Sequence, residues 1–201
     1  MSKVTTSFFD LISGRRGHFQ LESGYHSELW FNLDALLAVP ELIDPMVTQL
    51  AYLIRRYEVA AVCGPLLGGA FLAQLVAQKI NVEFMFTERV MPDSASGLFA
   101  ASYHLPPTLA EHVQGRRVAI VDDVMSAGSA LRGTYLELKS HGAIPVVASA
   151  LMVLGETGAK FFAEQEVPVE AVVWEDYSIW SPEKCPHCVA GTPLENVANE
   201  G

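Results

Sequence analysis

The sequence has few cationic residues. Its 201 residues include 13 Lys and Arg against 23 Asp and Glu, a formal net charge of −10, and no lysine occurs between Lys79 and Lys139. Nucleic acids and anionic membranes are bound through clustered basic side chains, so neither is expected as a partner. An acidic protein that binds a polyanion must instead concentrate its few cations, its helix N-termini or a metal ion at one place.

Cysteine and long apolar runs are also scarce. There are 3 cysteines, and only Cys185 and Cys188 are close together, which does not suit a secreted disulfide framework. The first residues lack the cationic start and apolar core of a secretory signal. The longest apolar stretch, 144–154, is shorter than the roughly 18 residues that a membrane helix needs. These absences together predict a cytoplasmic location.

Apolar strand patterns alternate with helical patterns along the chain. Buried-strand runs occur at 59–63, 82–86, 117–121, 144–154 and 169–174. Helical patterns alternate with most of them, at 40–57, 70–77, 129–141 and 159–166, and the clearest is 40–57. This alternation predicts an α/β fold, with an open, mostly parallel twisted sheet and helices on both faces. We expect a single domain over 1–201, in which 40–175 form the core sheet. Residues 1–39, with a helix over 7–12, a turn over 14–17 and a strand over 18–21, form a small hood lobe with part of the C-terminal tail.

The segment 117–132 carries the strongest functional signal. A buried strand ends at Asp122 and Asp123, and ligands of open parallel sheets bind beyond the carboxyl ends of strands. The following residues, Ser126 to Ser129, offer backbone N–H groups, hydroxyls and the start of a helix to a phosphate. A ribose 5-phosphate has vicinal hydroxyls for the carboxylates and a phosphate for the loop. The alternative is an ordinary strand–loop–helix junction in which the acids cap the helix or bind water.

This segment resembles the phosphoribosyl pyrophosphate motif of type I phosphoribosyltransferases, in which two hydrophobic residues precede Asp-Asp and a hydroxyl- and glycine-containing loop. The resemblance extends from Ser23 to Leu194 and is greatest to orotate phosphoribosyltransferases. It implies transfer of the phosphoribosyl group from phosphoribosyl pyrophosphate to a nucleobase, most simply orotate. It also implies Mg²⁺ as the cofactor and a homodimer.

The resemblance implies a role for the residues of the motif and of a second loop at 64–69. It places Asp122 and Asp123 on the ribose hydroxyls and Arg89 on the diphosphate; for Arg89, pairing with Glu88 or Asp93 is the alternative. A tight turn without a ligand is the alternative for the glycine loop. The implied 5-phosphate contacts are Ser126, Ala127, Gly128, Ser129 and Ala130, and the implied diphosphate contacts are Gly64, Pro65, Leu66, Leu67, Gly68 and Gly69.

A turn followed by an aromatic-rich strand at 23–32 resembles the orotate-enzyme segment that lies over the base. It implies that Tyr25, His26 and Phe31 lie near the base, although a packed histidine is an equally good interpretation of His26. His104 is a further candidate for catalysis, with a strand-end histidine as its alternative.

Three positions depart from the orotate-enzyme pattern. Leu154 stands where an arginine binds the orotate carboxylate, Gly68 stands where some members have lysine, and the interval 90–114 lacks the lysines of a mobile loop. Two alternatives therefore stay open. One is transfer to a different base, and the other is a regulator that binds phosphoribosyl pyrophosphate without turnover.

The tail contains Cys185-Pro186-His187-Cys188. Such a pair supplies two zinc ligands, where a closed structural site needs four. His187 as a third ligand, or two pairs brought together in a two-fold dimer, is the alternative. We expect a tight turn with two free thiols and assign no metal ligand in the chain.

Overall fold

The computed structural model describes residues 13–91 and 99–197, so the helix expected over 7–12 lies outside the described residues. A six-stranded sheet forms the core. Its strands are β3 (Ala61–Pro65), β4 (Glu83–Val90), β5 (Ser102–His104), β6 (Arg117–Met125), β7 (Ile144–Leu154) and β8 (Val169–Glu175), in the spatial order β5-β4-β3-β6-β7-β8. Only the β4–β5 pair of this sheet is antiparallel, and the other neighbours pair in parallel.

Helices cover both faces of this sheet, which confirms the predicted fold class. They are α1 (Asp34–Leu37), α2 (Pro40–Arg55), α3 (Gly68–Ile80), α4 (Pro107–Ala110), α5 (Ser129–Ser140) and α6 (Thr157–Glu164). Strand side chains alternate between the faces, so Val62 packs with α2 and α3 whereas Cys63 packs with α5 and α6. The apolar stripe of α2, including Leu50 and Ile54, is fully buried, as its three- and four-residue spacing predicts.

A second, four-stranded sheet joins the two ends of the described chain. It contains β1 (Ser13–Gln20), β2 (His26–Asn32), β9 (Ile179–Trp180) and β10 (Glu195–Asn196), in the order β10-β1-β2-β9. We call this sheet the hood. The turn expected over 14–17 is wrong, because cross-strand pairs such as Arg15 with Trp30 hold these residues in β1. An irregularity of the ladder between Arg16 and Phe19 accommodates the glycine at 17.

The C-terminal segment between β9 and β10 forms a 3₁₀ turn, Pro182–Lys184, and a short helix, α7 (Pro186–Val189). The Cys-Pro-His-Cys run is therefore a helical turn, with proline at the position of a helix start where its missing N–H is not needed. None of the described helices is long and apolar enough to cross a membrane.

The strand register decides which loops meet. Ala61 pairs with Val118 and Cys63 with Ile120, so the loops after β3 and β6 leave the same edge of the sheet side by side. Strand β6 also extends further than the apolar run 117–121 suggests, because Asp122 and Val124 continue the ladder along the long β7 strand. The two aspartates therefore sit on rigid strand backbone instead of a loop.

Candidate active site

A cavity of about 250 Å³ opens at the carboxyl edge of the parallel sheet, beneath the hood. Strand β2 of the hood contributes Phe31, and the turn between β1 and β2 contributes Glu22. The segment 65–69, between the end of β3 and the start of α3, and the two aspartates near the end of β6 also line the cavity. Predicted site residues that line this cavity are Asp122, Asp123, Arg89, Ser126, Gly128, Ser129, Ala130, Pro65, Leu66, Leu67, Gly68, Gly69 and Phe31.

The two aspartates form a closely coupled pair. Oδ1 of Asp122 accepts the backbone N–H of Asp123 at 3.0 Å, and Oδ1 of Asp123 accepts the N–H of Val124 at 2.7 Å. Burial raises the pKa of Asp122 well above its ordinary value of 3.8, and repulsion from Asp123 adds to this. Hydroxyl donors or a cation brought by a ligand would relieve that repulsion, so the pair is suited to such a ligand.

The glycine loop packs directly against these carboxylates. A Cβ built on Gly68 would lie less than 3.0 Å from Oδ2 of Asp123, and one on Gly69 would lie 2.7 Å from Oδ1 of Asp122. Only glycine fits at either position without moving a carboxylate. The peptide bond between Leu66 and Leu67 is cis, and α3 begins directly after it with no side-chain cap, which leaves its first N–H groups available to a ligand.

The loop after β6 presents the start of α5 to the same cavity. Gly128 has φ +75° and precedes α5 without a side-chain cap, so the N–H groups of the first helical turn have no side-chain acceptor there. The neighbouring loop is held in place because Ser126 accepts the backbone N–H of Gly158 at 3.0 Å. A Cβ on Gly128 would lie 3.0 Å from Cα of Gly158. A helix N-terminus with this arrangement is suited to bind an anion.

Glu22 is a cavity residue that no local pattern in the sequence indicates. Its Oε1 lies 3.7 Å from Nε of Arg89 and 3.5 Å from Oγ of Ser129, and it accepts the hydroxyl of Tyr103. Burial raises the pKa of Tyr103, so its hydroxyl remains a donor. A carboxylate therefore lies beside two groups expected to bind phosphate. The contact joins the hood to the core sheet, and only the folded chain creates it.

Two residues of the predicted site, Gly64 and Ala127, are not among the residues that line the cavity. Gly64 does not line the cavity, but a Cβ there would overlap the backbone of Gly69, so it permits the loop to fold back. Ala127 does not line the cavity either, and it is buried at 4% exposure.

Three other predicted residues are not brought to the cavity. The ring of Tyr25 packs against Phe99, with centroids 6.1 Å apart. His26 is buried with its Nδ1 facing His18, at 3.1 Å from that residue's Nε2, because the first residue of β2 points away from the cavity. His104 lies on the edge strand β5, with its side chain 54% exposed. The suggestion that these three contact the base or catalyse therefore stays a prediction without support from the geometry.

The remaining wall of the cavity is largely apolar. Leu154, at the end of β7, lines it together with Leu29, Trp30 and Tyr177. Arg89 is the only Lys or Arg among the described lining residues. A planar base fits such a wall, but a base carboxylate finds no cationic partner at residue 154.

The fold and cavity define a class: an α/β protein with an open parallel sheet, whose paired carboxylates face a glycine loop and a helix N-terminus. Comparisons with known sequences identify a family with this fold. A sequence model described as "Phosphoribosyl transferase domain" matches residues 32–180. The chain is 30% identical over 185 residues to an orotate phosphoribosyltransferase of Thermotoga maritima, covering 92% of this chain and 91% of the relative. An orotate phosphoribosyltransferase of Caldanaerobacter subterraneus is 30% identical over 192 residues, covering 96% and 94%.

This chain belongs to the phosphoribosyltransferase family and is an enzyme of the pentosyltransferase class. The resemblance that the 117–132 motif indicated is thereby confirmed. Solved structures share the fold: orotate phosphoribosyltransferase from Aeropyrum pernix superimposes with TM-score 0.64 at 21% identity, covering 87% of this chain and 93% of that one. Adenine phosphoribosyltransferase from Rhodothermus marinus gives 0.66 at 17% identity, covering 87% and 100%.

Proposed function

We propose that the protein transfers the phosphoribosyl group of phosphoribosyl pyrophosphate to orotate, giving orotidine 5′-phosphate and diphosphate. The observation that carries the proposal is the packing of Gly68 and Gly69 against Asp123 and Asp122 within one cavity. That packing offers adjoining groups to the diphosphate and to the ribose hydroxyls of one substrate. Orotate is the choice of base because curated relatives at 30% identity are orotate phosphoribosyltransferases.

Each part of the substrate has a matching group in the cavity. The loop from Ser126 to Ala130 and the start of α5 bind the 5-phosphate. The ribose hydroxyls donate hydrogen bonds to Asp122 and Asp123. The diphosphate accepts hydrogen bonds from backbone N–H groups of the glycine loop and from Arg89.

The chemistry requires positioning more than a protein nucleophile. As the bond from C1 to the diphosphate breaks, positive charge develops on the ribose ring and negative charge on the leaving group. The carboxylates of Asp122 and Asp123 stabilise the first, and Arg89 with the backbone N–H groups stabilises the second. Binding of the base in line with the breaking bond would remove most of the entropic cost of bringing two reactants together.

The donor set also fits Mg²⁺, which the family generally uses with phosphoribosyl pyrophosphate. Mg²⁺ prefers oxygen ligands and is bound through one or two carboxylates plus substrate phosphates. Asp122 and Asp123 supply carboxylate oxygens, and Arg89 is the only Lys or Arg among the described lining residues. The metal ion, when bound, would neutralise charge on the diphosphate.

Leu154 supports a second candidate function, phosphoribosyl transfer to a base without a carboxylate. Its buried, apolar side chain lines the cavity where an arginine would pair with the carboxylate of orotate. An unpaired polar group in a closed pocket costs on the order of 1–3 kcal/mol. A base without that group avoids this cost.

A diphosphate-release assay with Mg²⁺, phosphoribosyl pyrophosphate and a panel of bases separates these candidates. Release with orotate, and not with uracil or adenine, supports the first. Release with a base that lacks a carboxylate, and not with orotate, supports the second. Tight binding of phosphoribosyl pyrophosphate without release from any base contradicts both and indicates a regulator.

We also infer that the protein works as a homodimer, on the strength of the resemblance to orotate phosphoribosyltransferases. Sedimentation equilibrium tests this directly. A mass near twice the 21.9 kDa of one chain supports it, and a single species at the monomer mass contradicts it.

A further inference from the structure

A second cluster of reactive side chains lies apart from the cavity, where the hood meets the C-terminal tail. It contains His18 on β1, His26 on β2, and Cys185 and Cys188 at α7. One nitrogen or sulfur atom from each of these residues lies within 4.8 Å of the corresponding atoms of the other three. None of the four lines the cavity, so substrate binding does not explain the cluster.

Four of the six distances between the ligand atoms are close to those of a tetrahedral metal site. Nε2 of His18 lies 3.1 Å from Nδ1 of His26, 3.3 Å from Sγ of Cys185 and 3.7 Å from Sγ of Cys188. Nδ1 of His26 lies 3.3 Å from Sγ of Cys188. Tetrahedral zinc, with bonds of about 2.0–2.1 Å to nitrogen and about 2.3 Å to sulfur, holds neighbouring ligand atoms about 3.3–3.8 Å apart.

The tautomer of His18 also suits a ligand. Its Nδ1 lies 2.9 Å from the backbone carbonyl oxygen of Thr192 and donates to it. Nε2 is therefore unprotonated in the neutral ring, and its lone pair points into the cluster. A histidine that binds a metal through one ring nitrogen commonly donates the N–H of its other ring nitrogen to a backbone carbonyl.

Charge balance favours zinc at this site. Two thiolates and two neutral imidazoles carry a charge of about −2, which one divalent cation neutralises. His18, His26 and Cys185 are buried. Burying a neutral metal complex costs far less free energy than burying thiolates whose charge is not compensated. Sulfur and imidazole ligands select zinc over Mg²⁺, which prefers oxygen.

We propose that His18, His26, Cys185 and Cys188 bind one Zn²⁺ as a closed structural site that fastens the C-terminal tail to the hood. Binding displaces one proton from each thiol, and no oxidation or reduction takes place. The Cys-x-x-Cys run supplies two ligands. The other two come from the opposite end of the chain, His18 being 167 residues from Cys185.

Metal analysis of the purified, untagged protein tests the proposal. After reconstitution with Zn²⁺ and removal of excess metal, we expect about one zinc ion per chain. Cys188→Ser and His18→Gln should lower that content at least severalfold. His187→Gln is the matched control: His187 lies between the two cysteines and its ring stacks on His18 at 5.3 Å, but it is not one of the four ligands, so zinc should be retained.

Cobalt substitution keeps the test valid if a variant folds poorly. Wild-type protein reconstituted with Co²⁺ should show the visible absorption of tetrahedral cobalt and its sulfur-to-cobalt charge-transfer band. Zinc content near zero in the wild type, or absence of these bands, would overturn the proposal. Full zinc content in both Cys188→Ser and His18→Gln would do the same. Neither readout depends on phosphoribosyl transfer, so failure here leaves the proposed function untouched.

Discussion

Gly68 lies directly against the carboxylate of Asp123: a Cβ at this glycine would fall less than 3.0 Å from Oδ2. Gly68 begins α3, directly after the loop that follows β3, whereas Asp123 lies near the end of β6. The parallel register of β3 and β6 brings the two residues together. This contact joins the part of the cavity assigned to the diphosphate with the part assigned to the ribose.

Replacing Gly68 with alanine should therefore lower kcat/KM for phosphoribosyl pyrophosphate by at least about tenfold, because either the loop or the carboxylate must move. Steady-state kinetics with the accepted base measures this. Gly115→Ala is the matched control: φ is +73° there, but nothing lies within 4 Å of the added Cβ. The control should lose about 1–2 kcal/mol of stability and keep its kcat/KM. An unchanged kcat/KM in Gly68→Ala would contradict the assigned role of the loop.

Asp122→Asn should stabilise the free protein while weakening substrate binding. Asn keeps an Oδ1 acceptor for the N–H of Asp123 and removes a buried charge that repels the neighbouring carboxylate. Because the folded pKa is raised, the contribution of Asp122 to stability is fully present below its ordinary value of 3.8 and is lost as pH rises through the higher folded value. Thermal unfolding should therefore show a higher Tm for the variant than for the wild type at pH 8, and the difference in Tm should decrease as pH falls. A lower Tm for the variant at pH 8 would argue against this account.

Glu22→Gln should tighten binding of phosphoribosyl pyrophosphate about fivefold, or about 1 kcal/mol, because it removes a negative charge beside Arg89 and Ser129. Glu41→Gln, on α2, is the control and should leave affinity unchanged. Titration calorimetry at low and high salt measures the affinity of each variant for phosphoribosyl pyrophosphate. Weaker binding in Glu22→Gln would show instead that the carboxylate accepts a hydrogen bond from the substrate.

Leu154→Arg tests the base preference. A guanidinium at the end of β7 would give the orotate carboxylate a bidentate partner, so the ratio of kcat/KM for orotate to that for uracil should rise about tenfold or more. Leu154→Met, similar in volume and apolar, should leave the ratio near that of the wild type. If a folded Leu154→Arg protein keeps the wild-type ratio, the base does not bind beside residue 154.

Local patterns in the sequence were sufficient for the core of the fold. The apolar run 144–154 predicts β7 with its correct bounds because both faces of that strand are buried. Leu131, Tyr135 and Leu138 are buried on α5, as their spacing indicates. The carboxylates and glycine loop could be placed at one edge because parallel strands of one sheet share that edge.

The hood could not be derived in the same way. Its ladders join β1 to β10 and β2 to β9, and no short-range pattern encodes pairing between the two ends of a chain. The contacts of Glu22 and the orientation of His26 follow from those ladders. For the same reason, Cys185 and Cys188 looked like two isolated thiols in the sequence, although the folded chain places two histidines beside them.

The most direct test of the central claim is calorimetric titration of phosphoribosyl pyrophosphate with Mg²⁺ into wild-type protein and Asp123→Asn. Asn retains the acceptor for the N–H of Val124, so the fold should be preserved while the negative charge is lost. Asp44→Asn, on the exposed side of α2, is the control. We predict saturable binding by the wild type and Asp44→Asn, and affinity about tenfold weaker, or about 1.4 kcal/mol, in Asp123→Asn. Equal affinity in wild type and Asp123→Asn would contradict the account.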